Sequence, residues 1–364
     1  MKNSHMSKLG DICSIRTGKL DSNAAVENGE YPFFTCAQET FRIDKFAFDT
    51  EAVLLGGNNA NGIFPLKYYQ GKFNAYQRTY IIESMDKEKV LNKFIYFSLR
   101  PVLAYFKSAS IGATPQFLTK PILDNLKINL PEIHNQKYIV DLLFTYDDLI
   151  DNNRKRIQLL EESARLLFRE WFVYFRFPGH EKVKMVNGVP EGWEEKTLGD
   201  IFEIKKGKNI TKDTTIEGRI PVVAGGLTPA YYHNKPNVSG PVITISASGA
   251  NSGYVNLYHE DIWASDCSYI NSDTTPVIYY YYLLLESRQK EITGLQRGAA
   301  QPHVYPKDLM NLTVSYLPNE IANSFENKVT PVFNLIKNLT NQNQKLAQAR
   351  DLLLPRLMSG AIEV

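Results

Sequence analysis

A chain of 364 residues, 43% hydrophobic and 22% charged, has room for two or more domains and the balance of a soluble globular protein, which excludes wholesale disorder. No run approaches the roughly 20 apolar residues that cross a bilayer, and the N-terminus lacks a signal-peptide core, so a cytoplasmic protein is expected. The net charge of +2 is too small to announce a nucleic-acid binder, so such a role would need cations arranged locally or supplied by another subunit.

Met1 to His5 precede a second methionine, Met6, and read as an expression remnant ahead of the first structured segment. Leu9-Gly10-Asp11-Ile12 then opens a pattern that returns as Leu198-Gly199-Asp200-Ile201, 189 positions later. The same displacement relates Gly18-Lys19 to Gly207-Lys208, Pro32 to Pro221, Ala75 to Ala264 and Tyr80 to Tyr269. Gly112-Ala113 and Gly298-Ala299 match at 186, so a few residues of net deletion separate two copies of one unit.

Within the first copy, β-rich runs such as Ala52 to Leu55 and Arg78 to Ile82 alternate with Gly/Asn turns. Val90 to Lys107 has helical spacing, interrupted or kinked at Pro101, and Lys127 to Leu130 reads as a last strand. The second copy repeats the plan, with a helix over Val277 to Lys290 and a last strand over Leu312 to Leu317. Both blocks are α+β.

Each block is followed by a long helix. Ile139, Leu143, Tyr146, Ile150, Asn153, Ile157, Leu160, Ala164, Leu167 and Trp171 alternate in steps of four and three, the spacing of a coiled-coil seam. Phe325, Val329, Val332, Ile336, Leu339, Asn343, Leu346, Arg350, Leu353 and Leu357 repeat it at a displacement of 186. Between them, Phe177-Pro178-Gly179 through Pro190-Glu191-Gly192-Trp193 is a connector, with Trp193 expected to anchor it to the second block. The expected division is therefore 1–133, first domain; 134–176, first long helix; 177–195, linker; 196–318, second domain; and 319–360, second long helix.

The first helix carries the chain away from its domain, so the second must return for the seams to cover one another. Full antiparallel overlap pairs residues whose numbers sum to 496, as Ile139 with Leu357 and Trp171 with Phe325. That register also sets Asn153 against Asn343 and Tyr146 against Arg350, whose guanidinium is expected to stack on the ring. A slip of one heptad would bury an amide against an apolar or charged partner at a cost of roughly 1–3 kcal/mol, although both amides reaching solvent is the plainer alternative. At about 1.5 Å per residue the seam is roughly 50 Å long, more than the roughly 34 Å between successive major-groove faces of DNA.

These residues resemble the DNA-specificity subunits of type I restriction-modification systems over nearly the whole chain. The resemblance rests on the paired domain-plus-helix plan and on strings in one order: the two Leu-Gly-Asp-Ile runs, Phe73 to Tyr80, Gly112 to Gln116, Leu166 to Phe172, Pro190 to Trp193, Gly298 to Pro302 and Leu353 to Gly360. It implies an α+β fold of two pseudo-symmetric target-recognition domains separated by a two-helix antiparallel coiled coil. Each domain would read half of a bipartite asymmetric site on double-stranded DNA. The coil would set the spacing and dock modification (methyltransferase) subunits, which restriction subunits join.

The family does no chemistry of its own, and the sequence carries no phosphate loop, amino-methyltransferase or nuclease motif. His5, His134, His180, His233, His259 and His303 lack metal-ligand spacing, and Cys13, Cys36 and Cys267 fit neither a disulfide framework nor a zinc site. No cofactor or metal is expected. The competing class is a non-DNA scaffold or glycan-binding protein, suggested by 21 Tyr, 19 Phe and the weak charge; an enzyme without a recognisable motif is a third.

Candidate DNA contacts fall on loops. Asn58, Asn59 and Asn61 in Gly56 to Gly62, and Asn251 and Ser252 in Ser248 to Gly253, offer side chains that can read base edges beside small residues, though plain tight turns fit as well. Gln77 and Arg78 suit a base, a phosphate or structural bonding. Thr114, Gln116, Arg297, Gln301 and His303 recur at matching places in the two copies, and the shared Lys19 and Lys208 suit phosphates, since two domains reading different bases share only what carries no sequence information.

Overall fold

The computed structural model describes residues 4–58, 64–109, 117–298 and 301–362, with backbone only at 104–109. The chain divides into two units, Met1–Asn152 with Gln342–Val364, and Asn153–Asn341.

In the first unit a six-stranded sheet runs in the order Cys13–Thr17, Thr79–Ser84, Phe48–Gly56, Leu66–Ala75, Tyr31–Phe34, Phe41–Ile43. All pairings are antiparallel except Tyr31–Phe34 with Leu66–Ala75. Phe48–Gly56 ends in an unbroken apolar run because both of its faces are covered. Val53 and Leu55 point into a core with Phe94, Phe97 and Leu99 of the helix Asn92–Ala109. Ala52 and Leu54 point the other way, against Phe34, Phe73 and Ile81.

Pro101 lies inside that helix, which continues past it. Lys127–Leu130 pairs with His5–Lys8, His5 facing Leu130. Ladder pairing uses backbone groups that every non-proline residue carries, so this pairing leaves the origin of His5 open.

The second unit repeats the plan with its strands split. Lys205–Lys206, Cys267–Asn271, Val242–Ser246 and Val255–Tyr258 form one sheet, and Tyr231–His233, Ile220–Val223 and Trp263–Ala264 another. Glu194–Thr197 pairs with Thr313–Tyr316, as the outer strands of the first unit do. The helical stretch breaks at Arg288 into Ile278–Ser287 and Gln289–Gly294. Trp193 is buried against Phe172, Phe175 and Phe177, with ring centroids 6.1, 5.3 and 5.7 Å away, so the connector folds back onto aromatic residues at the end of the first long helix.

The long helices span Ile133–Phe172 and Asn319–Met358. All twenty seam positions are buried or half-buried. In the first unit Ile139 and Leu143 share a core with Leu354 and Leu357; in the second, Ala164 and Trp171 share one with Phe325, Val329 and Ile336. The start of one helix thus meets the end of the other in each unit, and the pairing is antiparallel. Phe168, Phe333, Ala322 and Val140 are buried too, although they lie outside the seam. They form a second stripe, because each helix covers its own domain as well as its partner helix.

Polar contacts along the helix pair differ from the expectation at one position. Arg350 does not stack on Tyr146: its guanidinium pairs with Asp147, one residue on, and with Asp351. Asp147 also takes Arg100 at 3.3 Å. A carboxylate offers a cation charge and hydrogen bonds together, and at a half-buried site that outweighs a ring face. Asn153 is buried in the seam and Asn343 half-buried.

Each long helix also sends one buried polar side chain to the start of a domain helix. Gln136 accepts from Leu91 N (3.0 Å) while its amide donates to the Lys89 and Pro131 carbonyls, both at 2.8 Å. Glu326 accepts from Tyr279 N and Tyr280 N, each at 3.0 Å. Both satisfy N–H groups that the first turn of a helix leaves without intrahelical partners.

Burial raises the Glu326 carboxyl above its ordinary value, against the opposing pull of the backbone N–H bonds. Replacing Gln136 or Glu326 by Ala should cost about 1–3 kcal/mol each in denaturant titrations, through buried N–H groups left unpaired. An acid with a raised folded value contributes fully below the ordinary value of 4.5 and loses that contribution as pH rises through the folded one. The native chain should therefore lose stability relative to Glu326→Gln as pH rises above the ordinary carboxyl value of 4.5. A difference independent of pH would show that the charge on Glu326 is immaterial.

Candidate nucleic-acid interface

The repeated Gly-Lys pairs show how the loops are placed. A Cβ on Gly18 would lie 2.0 Å from the carbonyl oxygen of Ala75, and one on Gly207 would lie 2.2 Å from that of Ser265 and 2.8 Å from that of Ala264. Only glycine allows two backbones to approach so closely. Ala75 and Ala264 recur at the same displacement because they stand across the same contact. Lys19 and Lys208, next in sequence, are exposed.

In the first unit this contact gathers several expected residues. Gly18 N donates to Thr79 O (3.2 Å) and Gln77 N to Leu20 O (2.8 Å), which ties the Lys19 segment to the turn carrying Gln77 and Arg78. The Arg78 carbonyl accepts from Gly57 N (2.8 Å) and Cys36 Sγ (3.5 Å), so the turn also holds the loop that begins at Asn58. Backbone groups do the structural work here, and the side chains of Gln77 and Arg78 stay exposed. Asn58 forms an isolated bridge with Phe117, whose ring is 51% exposed at the edge of this cluster. Asn59, Asn61, Thr114 and Gln116 lie outside the described residues.

The second unit builds the same hook: Ser248 bridges His303 as Asn58 bridges Phe117. His303 and Arg297 exchange backbone bonds at 2.9 Å in both directions, and Gly249 N donates to Pro302 O at 3.0 Å. The Ser248 hydroxyl donates to Asp266, whose neighbour Ser265 packs on Gly207. Lys208, Asn251, Gln301 and His303 therefore belong to loops that are tied to one another. Gln301 is exposed, and Asn251 and His303 are half-buried.

Two expected contacts need correction. Ser252 is only 1% exposed, and its carbonyl accepts from Gln296 Nε2 at 2.8 Å, so its hydroxyl faces the interior. The neighbouring Gly253, at φ 85°, packs its backbone on Ile292 and turns the chain inward there. Arg297 is 63% exposed, but its guanidinium is engaged at 2.5 Å by the buried Asp308. A buried carboxylate needs a cation, so Arg297 is a partner to the fold before it is available to a ligand.

Sequence reasoning passed over two exposed aromatics beside its polar tips, Phe117 and Tyr305, the latter stacked on His303 with centroids 5.8 Å apart. The signal was their place just after the matched strings, Phe117 next to Gln116 and Tyr305 three residues beyond Pro302. Burial pushes the Cys13 and Cys267 thiols up to about 12, which leaves them without thiolate character at neutral pH.

Residues 1–162 and 190–348 match the family model described as the type I restriction modification DNA specificity domain. The chain belongs to this family. The specificity subunit of type I restriction enzyme EcoDI from Escherichia coli is 37% identical over 172 residues, 47% of this chain and 37% of that protein. The MjaIX specificity subunit from Methanocaldococcus jannaschii is 28% identical over 311 residues, 77% of this chain and 71% of that protein. A crystal structure of a type I S subunit from M. genitalium shares the fold, with a TM-score of 0.67 at 18% identity, over 98% of this chain and 96% of that one.

Membership makes DNA recognition the role of this chain, and the scaffold and glycan-binding alternative is not favoured. Packing and contact roles in the Gly-Lys pairs separate by experiment. Gly18→Ala should destabilise the fold by about 1–3 kcal/mol through the clash with Ala75. Lys19→Ala should leave stability within about 0.5 kcal/mol and weaken DNA binding. Equal loss of stability from both would show that Lys19 is structural.

Proposed function

We propose that this chain is the specificity subunit of a cytoplasmic type I restriction-modification complex whose two domains, within 1–133 and 196–318, each read half of a bipartite asymmetric DNA site. The paired helices set the distance between half-sites and dock modification subunits, which restriction subunits join. The observation that carries this reading is one scaffold built twice with different side chains at its tips. The hook is Asn58 with Phe117 in one unit and Ser248 with His303 in the other.

In this reading Lys19, Lys208 and Arg78 hold phosphates, while Asn58, Gln77, Asn251, Gln301 and His303 stand where base edges pass. Asn59, Asn61, Thr114 and Gln116 extend the first reader, and Arg297 supports the second. Asn153 and Asn343 select the coil register.

Exchanging residues 196–318 for the matching part of another specificity subunit, followed by sequencing-based mapping of methylated sites in cells carrying the assembled system, should change one half of the recognised sequence. A change in both halves, or in neither, would remove the modular reading. A heptad added to both helices, near Leu160 and Ile336, should favour a site longer by roughly 10 Å of spacer. An unchanged spacer would move the role of ruler from the coil to the linkers.

A further inference from the structure

The second unit carries a cleft that sequence reasoning did not single out. Lys205 and Lys206, on the edge strand paired with Cys267–Asn271, line it from one side, and Tyr305 and Lys307 from another, with Tyr269 between. All three lysines are exposed, and among the described residues no ion pair engages them. The Lys307 ammonium lies 5.9 Å from the centre of the Tyr305 ring, whose own neighbour is His303. Glu203 is the one carboxylate in the lining, so three cations leave the cleft a net charge of about +2.

The first unit has fewer free cations at the matching positions, with Thr17 for Lys206 and Pro121 for Lys307. Arg16, the counterpart of Lys205 at the repeat displacement of 189, is held by Glu83 at 2.6 Å. Lys120, which falls on Pro306 and is the cation next to the Pro121 position, is held by Asp124 at 2.9 Å. The second copy has Ser272 where the first has Glu83, and Met310 where the first has Asp124. Gly10 packs on Asp124 and Gly199 on Met310, which ties the second correspondence to geometry as well as to numbering. The strand pairing also differs by one residue: Arg16 faces Ile81, but Lys205 faces Tyr269.

We propose that this cleft grips the phosphate backbone of duplex DNA beside the second half-site, and that the first domain lacks an equivalent grip. The inference rests on the DNA-recognition reading and adds an asymmetry to it. Lysine suits the role as a point charge for phosphate oxygens, and the Tyr305 ring backs Lys307. The run Lys205-Lys206-Gly207-Lys208 continues the cations along the edge toward the expected phosphate contact.

The test uses the chain assembled with its modification subunits and a fluorescent mixed-sequence duplex, titrated over a series of salt concentrations. Each phosphate contact contributes roughly 0.9 to the slope of log affinity against log salt. The triple variant Lys205→Ala, Lys206→Ala, Lys307→Ala should lower that slope by about two to three, weaken binding at low salt by on the order of tenfold or more, and keep its melting temperature. Lys120→Ala, which removes an already paired cation, should change the slope by clearly less than one.

An unchanged slope in the triple variant would overturn the grip while leaving DNA recognition standing. A loss from Lys120→Ala as large as that per lysine in the cleft would overturn the asymmetry. If the native assembly showed no salt-dependent duplex binding, the functional reading beneath the proposal would fall with it.

Discussion

Everything in this fold depends on two long helices that must each bury apolar surface in two directions. One stripe, from Ile139 to Trp171 or from Phe325 to Leu357, covers the other helix. A second, through Phe168 in one and Phe333 in the other, covers a domain. A helix that satisfies both stripes cannot rotate about its axis without exposing one of them, at roughly 25 cal/mol for each Å² of apolar surface. Gln136 and Glu326 sharpen the constraint. Apolar packing tolerates small shifts, but a buried side chain holding the first N–H groups of another helix does so only over a few tenths of an ångström.

The two units share this plan, yet their ion pairs run in opposite senses. In the second, the cation Arg165 lies on the long helix and its partner Glu286 on the domain helix, 2.9 Å apart. The counterpart of Glu286, 186 positions earlier, is Arg100, so in the first unit the domain helix supplies the cation and Asp147 of the long helix the anion. A domain placed on the wrong half of the helix pair would set like charges together. Partial exposure keeps each pair modest, but two like-charge contacts replacing two attractive ones double the difference between right and wrong pairings. Duplication creates the risk of interchange, and reversed polarity opposes it.

What the sequence discloses follows from how locally each feature is dictated. The seam is legible because period alone decides which positions are buried. The Gly18 and Ala75 pair is legible because one copy's constraint, glycine under a carbonyl, must be met again in the other. Partners chosen by the tertiary fold are not legible. Nothing near Arg350 says that Asp147 rather than Tyr146 will lie beneath its guanidinium, and nothing near Ser252 says that Gly253 turns it inward. Arg297 looks like a free cation until the helix Pro306–Met310 brings a buried Asp308 beneath it. Loop residues with polar tips are the hardest class, since the same side chains serve turns, ion pairs and ligands.

The weak net charge, which argued against a nucleic-acid role, has a physical explanation in the same terms. A total of +2 counts cations and anions together wherever they lie, whereas a polyanion responds to those it can approach. Many cations of this chain are already spent on structure: Arg16 on Glu83, Arg100 and Arg350 on Asp147, Arg165 on Glu286, Arg297 on Asp308. Lys19, Arg78, Lys205, Lys206, Lys208 and Lys307 are exposed and outside these pairs, and they sit on the loops and edges of the two domains. Arginine, with its planar fork, is used mostly where the fold needs a fixed bidentate partner; lysine, a mobile point charge, is left at the surface where a phosphate can be met in several poses. A chain can therefore be almost neutral overall and still present cationic patches on each unit, provided the cations it leaves unpaired are gathered on particular loops and edges.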